Sequence, residues 1–471
     1  MQAWLLARDS RSLIDLFRHL KYEGHPGLWH VWLLLLSRIS RSPLIMQGFH
    51  LLIAGTTVYL FARYSPFPRL LKFLFAFGYF SIYEYTILCR NYALGVLLIC
   101  LFCILIRWRY TRFLWMSLVL FLLGHTSVHA LIVSIVAGFA LSVDYFLNRK
   151  RILAKREINE VKIFLGFGLI GFGVIAAVLQ LNPPSDSGIY VDWYLSYDAV
   201  HLKRIIQIIT RAFFLMDENA LHFLFKYPIV PKVNLILAIL LVLWCSLLLL
   251  RKPIVLLIYL LGTLGLLSFF YIKHYGGIRH HGFLFILFIM VLWIRQYFGE
   301  AKLSSGINRF NDVLEKSLHP ILTLILIVHL IGGIFTVYKD YRYVFSYGKQ
   351  VAAFIREQDL QEMPVIGEAD YAVSTVVGYL EKDHVYYMRG DRLGSFVIWD
   401  QSRTHEVLDN QIIEKAQELS AIYIEDVLII LNRELRQDLT DPNSLIELAK
   451  FTGSLIKEEE YYVYQWKGLA K

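Results

Sequence analysis

The chain has 471 residues, 57% of them apolar and only 18% charged, with a formal net charge of +9. A soluble domain usually carries about 25% charged residues, so the composition excludes an ordinary soluble enzyme. The positive charge sits in short loops between apolar runs, with no basic stripe interleaved with aromatics, which excludes a nucleic-acid groove.

The first twenty residues, MQAWLLARDSRSLIDLFRHL, place Leu5, Leu6, Leu13, Ile14, Leu16, Phe17 and Leu20 among arginines and aspartates. This pattern is too polar to span and predicts an amphipathic helix lying on a membrane surface. A second interfacial helix is expected from Leu28 to Leu36, with Pro26 in its first turn.

A membrane span needs roughly 20 mostly apolar residues. Spans are expected at 43–62, 70–88, 91–106, 113–124, 127–147, 161–181, 233–250, 254–272, 282–295 and 320–338. Every second loop is basic, with Arg63, Arg69 and Lys72, then Arg107, Arg109 and Arg112, then Arg149 to Arg156, then Arg251 and Lys252, then Arg295 to Lys316. Basic loops mark the cytoplasmic side. The remaining loops and everything after 338 are then extracytoplasmic, and this scheme puts a further first span upstream of Met1. Arg38 and Arg41 run against it, because they fall outside. The segment 182–232 carries an amphipathic run from Val200 to Met216 and is long enough to be a lid or binding loop.

From 339 the composition shifts. MPVIGEAD, DHVYYMRG and GSFVIWD read as strands, and DYAVSTVVGYL and HEVLDNQIIEKAQELS as helices. AIYIEDVLIIL and EEYYVYQWK add strand-like stretches, so a small α/β domain with a mixed sheet is expected. It contains no G-x-G-x-x-G, P-loop or nucleophile elbow. The expected fold class is an all-α polytopic membrane bundle of about ten spans with a small α/β extracytoplasmic C-terminal domain. The divisions are 1–42 for the interfacial helices, 43–338 for the bundle and 339–471 for the soluble domain. Cys89, Cys100, Cys103 and Cys245 all lie in apolar runs and read as small core residues.

Charged groups in or beside spans cost on the order of 2.5–3.5 kcal/mol each, so each is a functional hypothesis. Four clusters qualify. Glu23 and His25 sit in a turn fixed by Gly24 and Pro26, where they either contact a hydroxyl or phosphate or simply cap the next helix. Glu84, Arg90 and Tyr92 gather at the outer end of a span. Arg90 suits a lipid phosphate, because a guanidinium binds it through a bidentate fork; the alternative is a Glu–Arg pair anchoring two helix ends. His125 and His129 share a face if their helix is continuous, and they read best as core histidines. Lys273, His274, Arg279, His280 and His281 crowd a glycine-bearing loop. They suit a leaving phosphate, or else anionic headgroups. No metal-ligand set is visible, so no cofactor is expected and dependence on a divalent metal stays open.

The Y-E-G-H-P-G-L-W stretch at 22–29 resembles the D-x-H-P-P-L-Y element of bacterial GT-C glycosyltransferases, the protein-mannosyltransferase-like and lipid-A-sugar-transferase-like membrane enzymes. Glu23 stands where the family often has Asp, and Gly27 replaces the second proline. R-N-Y at 90–92 resembles the R-x-Y element that opens a following span. The resemblance covers residues 1–340 and leaves the C-terminal domain unplaced. It implies a polyprenyl-phosphate-linked sugar as donor and an extracytoplasmic active site. A carboxylate in the first external loop would act as base on the acceptor hydroxyl, and the sugar would transfer with inversion. His25 and Pro26 match the surface element, and Arg90 and Tyr92 match the second. In the family the main acid lies earlier in this loop than the chain begins. Asp9 and Asp15 read as solvated faces, so Glu23 is the remaining candidate, with His25 beside it. Arg279 and its histidine neighbours rest on residue chemistry, not on a motif.

The functional expectation is a membrane glycosyltransferase with lipid-linked sugar and membrane lipids as partners and no nucleic acid. The alternatives are a flippase for a lipid-linked saccharide and an inactive scaffold of envelope polysaccharide assembly. A flippase predicts an inverted repeat and polar sites near the bilayer midplane. No repeat is present in the sequence.

Overall fold

The computed structural model describes residues 1–154, 159–188, 192–216, 229–436 and 444–468. Lys155 and Arg156, part of one expected basic loop, lie outside the described residues. The chain divides into two compact units. One comprises 1–48, 180–190 and 338–471, and the other 49–179 and 191–337.

The second unit is the helical one. Among the described residues, seven helices of the chain are long and apolar enough to cross a membrane, which makes this a multi-pass membrane protein. In chain order the helices of the molecule begin with α1 (Gln2–Asp9), α2 (Leu13–Leu20) and α3 (Leu28–Ser37). They continue with α4 (Leu44–Tyr64), α5 (Arg69–Ala76), α6 (Tyr92–Leu105), α7 (Phe113–Gly124), α8 (Val128–Leu153) and α9 (Glu160–Leu181). Then come α10 (Ala199–Phe214), α11 (Ile229–Leu248), α12 (Pro253–Ile272), α13 (Ile278–Ile294) and α14 (Ser305–Arg342). The long candidates are α4, α8, α9, α11, α12, α13 with its short extension to Tyr297, and α14.

Three expected spans are built from shorter pieces. The 70–88 segment is α5 followed, after a break at Phe77–Tyr79, by a π-helix over Phe80–Ile87. The 91–106 and 113–124 segments are the shorter apolar helices α6 and α7. Helix α13 is apolar all round, and every residue from His280 to Ile294 is buried, as expected of a helix surrounded by others. The lipid-facing character of α9 and α11 shows in exposed Phe172, Ile175, Leu179, Ile236 and Leu240.

The first unit is an α/β domain, completed by α15 (Gly348–Glu357), α16 (Asp370–Leu380) and α17 (Asp409–Tyr423). Its strands are β1 (Val365–Gly367), β2 (Val385–Tyr387), β3 (Arg392–Gly394), β4 (Val427–Leu431), β5 (Leu445–Phe451) and β6 (Tyr461–Trp466). The sheet order is β3-β2-β1-β4-β6-β5. β1 pairs parallel with both β2 and β4, and the outer pairings are antiparallel. The mixed sheet therefore matches the sequence pattern. GSFVIWD departs from it: only Gly394 belongs to a strand, and Asp400 makes an isolated bridge with Ser187.

The N-terminal segment belongs to this same unit. The expected single amphipathic helix is two, because Ser12 caps α2 by accepting a hydrogen bond from the Asp15 N–H. α1 does not present an apolar face to a surface: Trp4, Leu5, Leu6 and Ala7 are buried, and Leu5 packs with Val351, Val373, Val377 and Val463 in the core of the α/β domain. Asp9 is not a solvated face either, since both its carboxylate oxygens are held by Arg8 at 2.7 Å and Ser395 also bonds to it. α2 keeps the expected amphipathic character, with Leu13, Ile14 and Phe17 exposed and Leu16 and Leu20 buried. Pro26 lies before the first turn of α3, whose N-cap is Gly27.

Candidate functional site

The strongest constellation lies in the bundle and begins at the π-helix. Its wider turn buries three successive residues, Tyr83, Glu84 and Tyr85. Such turns inside helical proteins frequently mark functional positions. Glu84 is 4% exposed. Its Oε1 accepts a hydrogen bond from the Tyr79 hydroxyl at 2.6 Å, and its Oε2 is buried with no hydrogen-bond partner. Three guanidiniums, Arg279, Arg90 and Arg211, lie close enough for their charges to act on this carboxylate. Arg90 and Arg279 also repel each other. Arg90 is exposed and Arg211 and Arg279 are half-buried, so positive charge exceeds negative at a partly open place, which favours a further anion.

The surrounding contacts fix these groups. Arg90 ends the segment after the π-helix. The next residue, Asn91, donates to the Thr126 carbonyl at 2.7 Å, which ties the start of α6 to the α7–α8 turn. Arg279 is in the first turn of α13, and its backbone carbonyl accepts from the Tyr85 hydroxyl at 2.9 Å. Its Nε is buried with no hydrogen-bond partner. The Gly277 N–H donates to His280 Nδ1 at 2.8 Å, so the ring proton sits on Nε2. Nε2 then donates to the Tyr92 hydroxyl oxygen at 2.7 Å, and the Tyr92 hydrogen can be donated onward. Gly276 makes this possible: its φ is +75°, and a Cβ there would lie 2.8 Å from His280 Nδ1. His129 stacks on His280 with ring centroids 4.9 Å apart. The positive end of the α13 dipole also points here, which favours an anion.

Glu84, Arg90, Tyr92, Arg279 and His280 are thus brought together. Lys273 and His281 are turned to other tasks. His281 is fully buried and its Nε2 bonds to the Tyr275 carbonyl at 2.8 Å. Lys273 lies over the Trp193 ring and lines a cleft of ≈ 380 Å³ together with Asp192, Tyr194, His201, Arg204 and Tyr271. His274 also lines this cleft and lies near enough to Arg279 for their charges to interact. The expected helical face shared by His125 and His129 does not exist, because α7 ends at Gly124 and Ser127 caps α8 between them.

Two site residues escape the sequence reading. Arg211 belongs to the amphipathic α10, where it reads as an ordinary surface cation. Its signal is its place between Ile208, Ile209, Ala212 and Phe213, all buried. Tyr79 carries no sequence signal beyond lying five residues before Glu84.

Glu23 and His25 lie in the other unit. Gly24, with φ +64°, turns the chain between α2 and α3. Glu23 Oε1 accepts from Gln2 Nε2 at 2.6 Å. Burial raises its carboxyl to about 7, against hydrogen bonds from Gln2 and Trp399 that pull the other way. A carboxyl poised there can exchange a proton near neutrality. Among the described residues no group of three or more His, Cys, Asp and Glu is placed to hold a metal ion.

Comparisons with protein-family models, with curated proteins and with solved structures give no match to this chain.

Proposed function

We propose that the protein is an integral membrane glycosyltransferase that takes a sugar from a polyprenyl-phosphate donor and transfers it to an acceptor hydroxyl on the extracytoplasmic side. The observation that carries this reading is the grouping of Arg90, Arg211 and Arg279 within electrostatic range of the buried Glu84, with the Arg279 Nε buried and unpartnered in the first turn of α13. A phosphate monoester leaving a glycosyl carbon develops charge that such donors stabilise. In this reading Arg90 and Arg279 grip the phosphate, Tyr92 donates its hydroxyl hydrogen to it, and His280 orients Tyr92. Glu84, held by Tyr79, offsets part of their positive charge.

The adjoining cleft, with its tyrosines, Asp192 and His201, has the mix of flat apolar faces and polar tips that saccharides require. Glu23 has the environment of a general base. The resemblance of residues 22–29 and 90–92 to GT-C enzymes supports the same assignment, as does the basic-loop pattern for the side.

The test uses the full chain in lipid nanodiscs with radiolabelled polyprenyl-phosphate sugars and a mixture of acceptors. Transfer, or slow hydrolysis, that vanishes in Arg90→Ala and Arg279→Ala supports the assignment. Binding of the lipid without either reaction, across several sugars, moves it to a carrier or scaffold of lipid-linked saccharide.

A further inference from the structure

The residues from Asp192 to Leu202 read DWYLSYDAVHL and lead into the first turn of α10. Their backbone is tied to the end of a span. The Tyr194 N–H donates to the carbonyl of Ile272, the last residue of α12, at 2.7 Å. Tyr271 holds the rest. Its hydroxyl accepts from the Asp198 N–H at 2.9 Å and donates to the Ser196 carbonyl at 2.6 Å. His201 Nε2 donates to the Tyr271 carbonyl at 3.1 Å. Asp198 then caps α10 by accepting from the Val200 and His201 N–H groups.

These bonds give the segment a fixed shape, and that shape turns its apolar side chains outward. Trp193, Leu195, Tyr197 and Val200 are 63%, 75%, 81% and 66% exposed. An apolar patch held open in this way marks an interaction surface.

The tie to α12 decides what covers it. Span ends lie where hydrocarbon meets headgroups, and Trp and Tyr are the side chains enriched at that depth. Anchoring on Tyr271 and Ile272 therefore sets the segment at headgroup level. Lys203 and Arg204 are exposed beside it, and the Lys273 ammonium lies 5.2 Å over the Trp193 ring. Such cations meet lipid phosphates while their stems rest on apolar surface. A saccharide would stack on Trp193 and Tyr197, but Leu195 and Val200 offer it neither a flat ring nor a polar tip. The lipid interface accommodates all four.

We propose that the 193–200 segment docks into the headgroup layer of the bilayer and holds the mouth of the ≈ 380 Å³ cleft there, so that the cleft takes the headgroup of an amphiphile from the membrane and not a solute from water. Tyr194, Val200, Arg204 and Lys273 all line that cleft. The inference holds for a transferase, a carrier or a scaffold alike, so it does not rest on the glycosyltransferase reading.

The test places a nitroxide at Leu195→Cys or, separately, at Tyr197→Cys in the full chain, in phosphatidylcholine nanodiscs. Both side chains are exposed, so neither replacement removes core packing. Relaxation by oxygen, which concentrates in lipid, is compared with relaxation by a water-soluble nickel chelate. Gly299→Cys, in an exposed loop with no atom within 4 Å of a Cβ, is the aqueous reference. Cys100, Cys103 and Cys245 are buried, and the parent chain gives the background from Cys89. Labels at 195 and 197 should respond more to oxygen and less to nickel than the label at 299. A label at Arg204→Cys, on the cleft wall, should relax more with nickel held on a lipid headgroup than with the soluble chelate. Labels at 195 and 197 that match the aqueous reference overturn the proposal, as does an Arg204 label that only the soluble chelate reaches. Shielding of 195 and 197 that appears only on adding a soluble saccharide also overturns it, and assigns the patch to that ligand.

Discussion

Replacing Arg279 by glutamine removes one of the three guanidiniums around Glu84 and leaves the local fold its supports. The Arg279 carbonyl stays bonded to Tyr85, the side-chain Nε has no hydrogen-bond partner to lose, and one contact with the Tyr92 hydroxyl is at stake. Stability should therefore change little. Binding should change more, because a hydrogen bond to a charged group contributes about 1.5–3 kcal/mol. At about 1.4 kcal/mol per decade, that is a loss on the order of 10–150-fold in affinity for a polyprenyl phosphate. The assay is lipid titration into the nanodisc-embedded chain by calorimetry, beside thermal unfolding of the same samples. Arg279→Lys should recover part of the affinity, since it restores charge without the fork. A variant that folds normally and binds within twofold of the parent would refute the assignment of Arg279 to the phosphate.

Three further outcomes are expected. Glu23 binds its proton more tightly in the folded state than unfolded, so its contribution to stability is complete below pH 4.5 and is lost as pH rises through about 7. The change is at most about 3.4 kcal/mol, and thermal unfolding of Glu23→Gln between pH 4 and 8 should show a flatter profile than the parent. Leu5→Ala should destabilise the α/β unit by about 2–5 kcal/mol, read as faster proteolysis after residue 338. Gly276→Ala places a methyl against His280 at positive φ, at a cost on the order of 1–3 kcal/mol, and should reduce turnover while leaving the spans intact by circular dichroism.

The parts of this fold that were legible in the sequence are those where a local pattern and the tertiary environment agree. The β1–α16–β2 alternation reads directly because Val365–Gly367 and Val385–Tyr387 are short apolar runs between turns. β5 was missed because Leu, Glu, Ala and Lys in LIELAKF favour a helix, and only pairing with β6 overrides that preference. The 70–88 segment looks like one span because hydropathy carries no sign of the break at Phe77–Tyr79 or of the π-turn beyond it. Within the bundle cluster, Glu84, Arg90, Tyr92, Arg279 and His280 were legible as polar residues in costly places. Arg211 was not, since a lone arginine on an amphipathic helix reads as solvated until the neighbouring helices are known. Adjacent His280 and His281 are expected to point in different directions, and the helix turns them about 100° apart, so that one meets Tyr92 and the other Tyr275.

Leu5 finishes its packing only against side chains such as Val351 and Val463. A ribosome adding about 5–20 residues per second delivers these partners tens of seconds after α1 emerges. Throughout that interval Trp4, Leu5 and Leu6 have no domain core to enter, while the helical bundle is being laid down between them and their destination. Biogenesis of this protein therefore includes a waiting period, in which the N-terminal helices either shelter at the lipid surface or are held by a chaperone. Completing the α/β unit then requires closing the loop from Leu5 to Val463, a long-range contact of the kind that is slow to form.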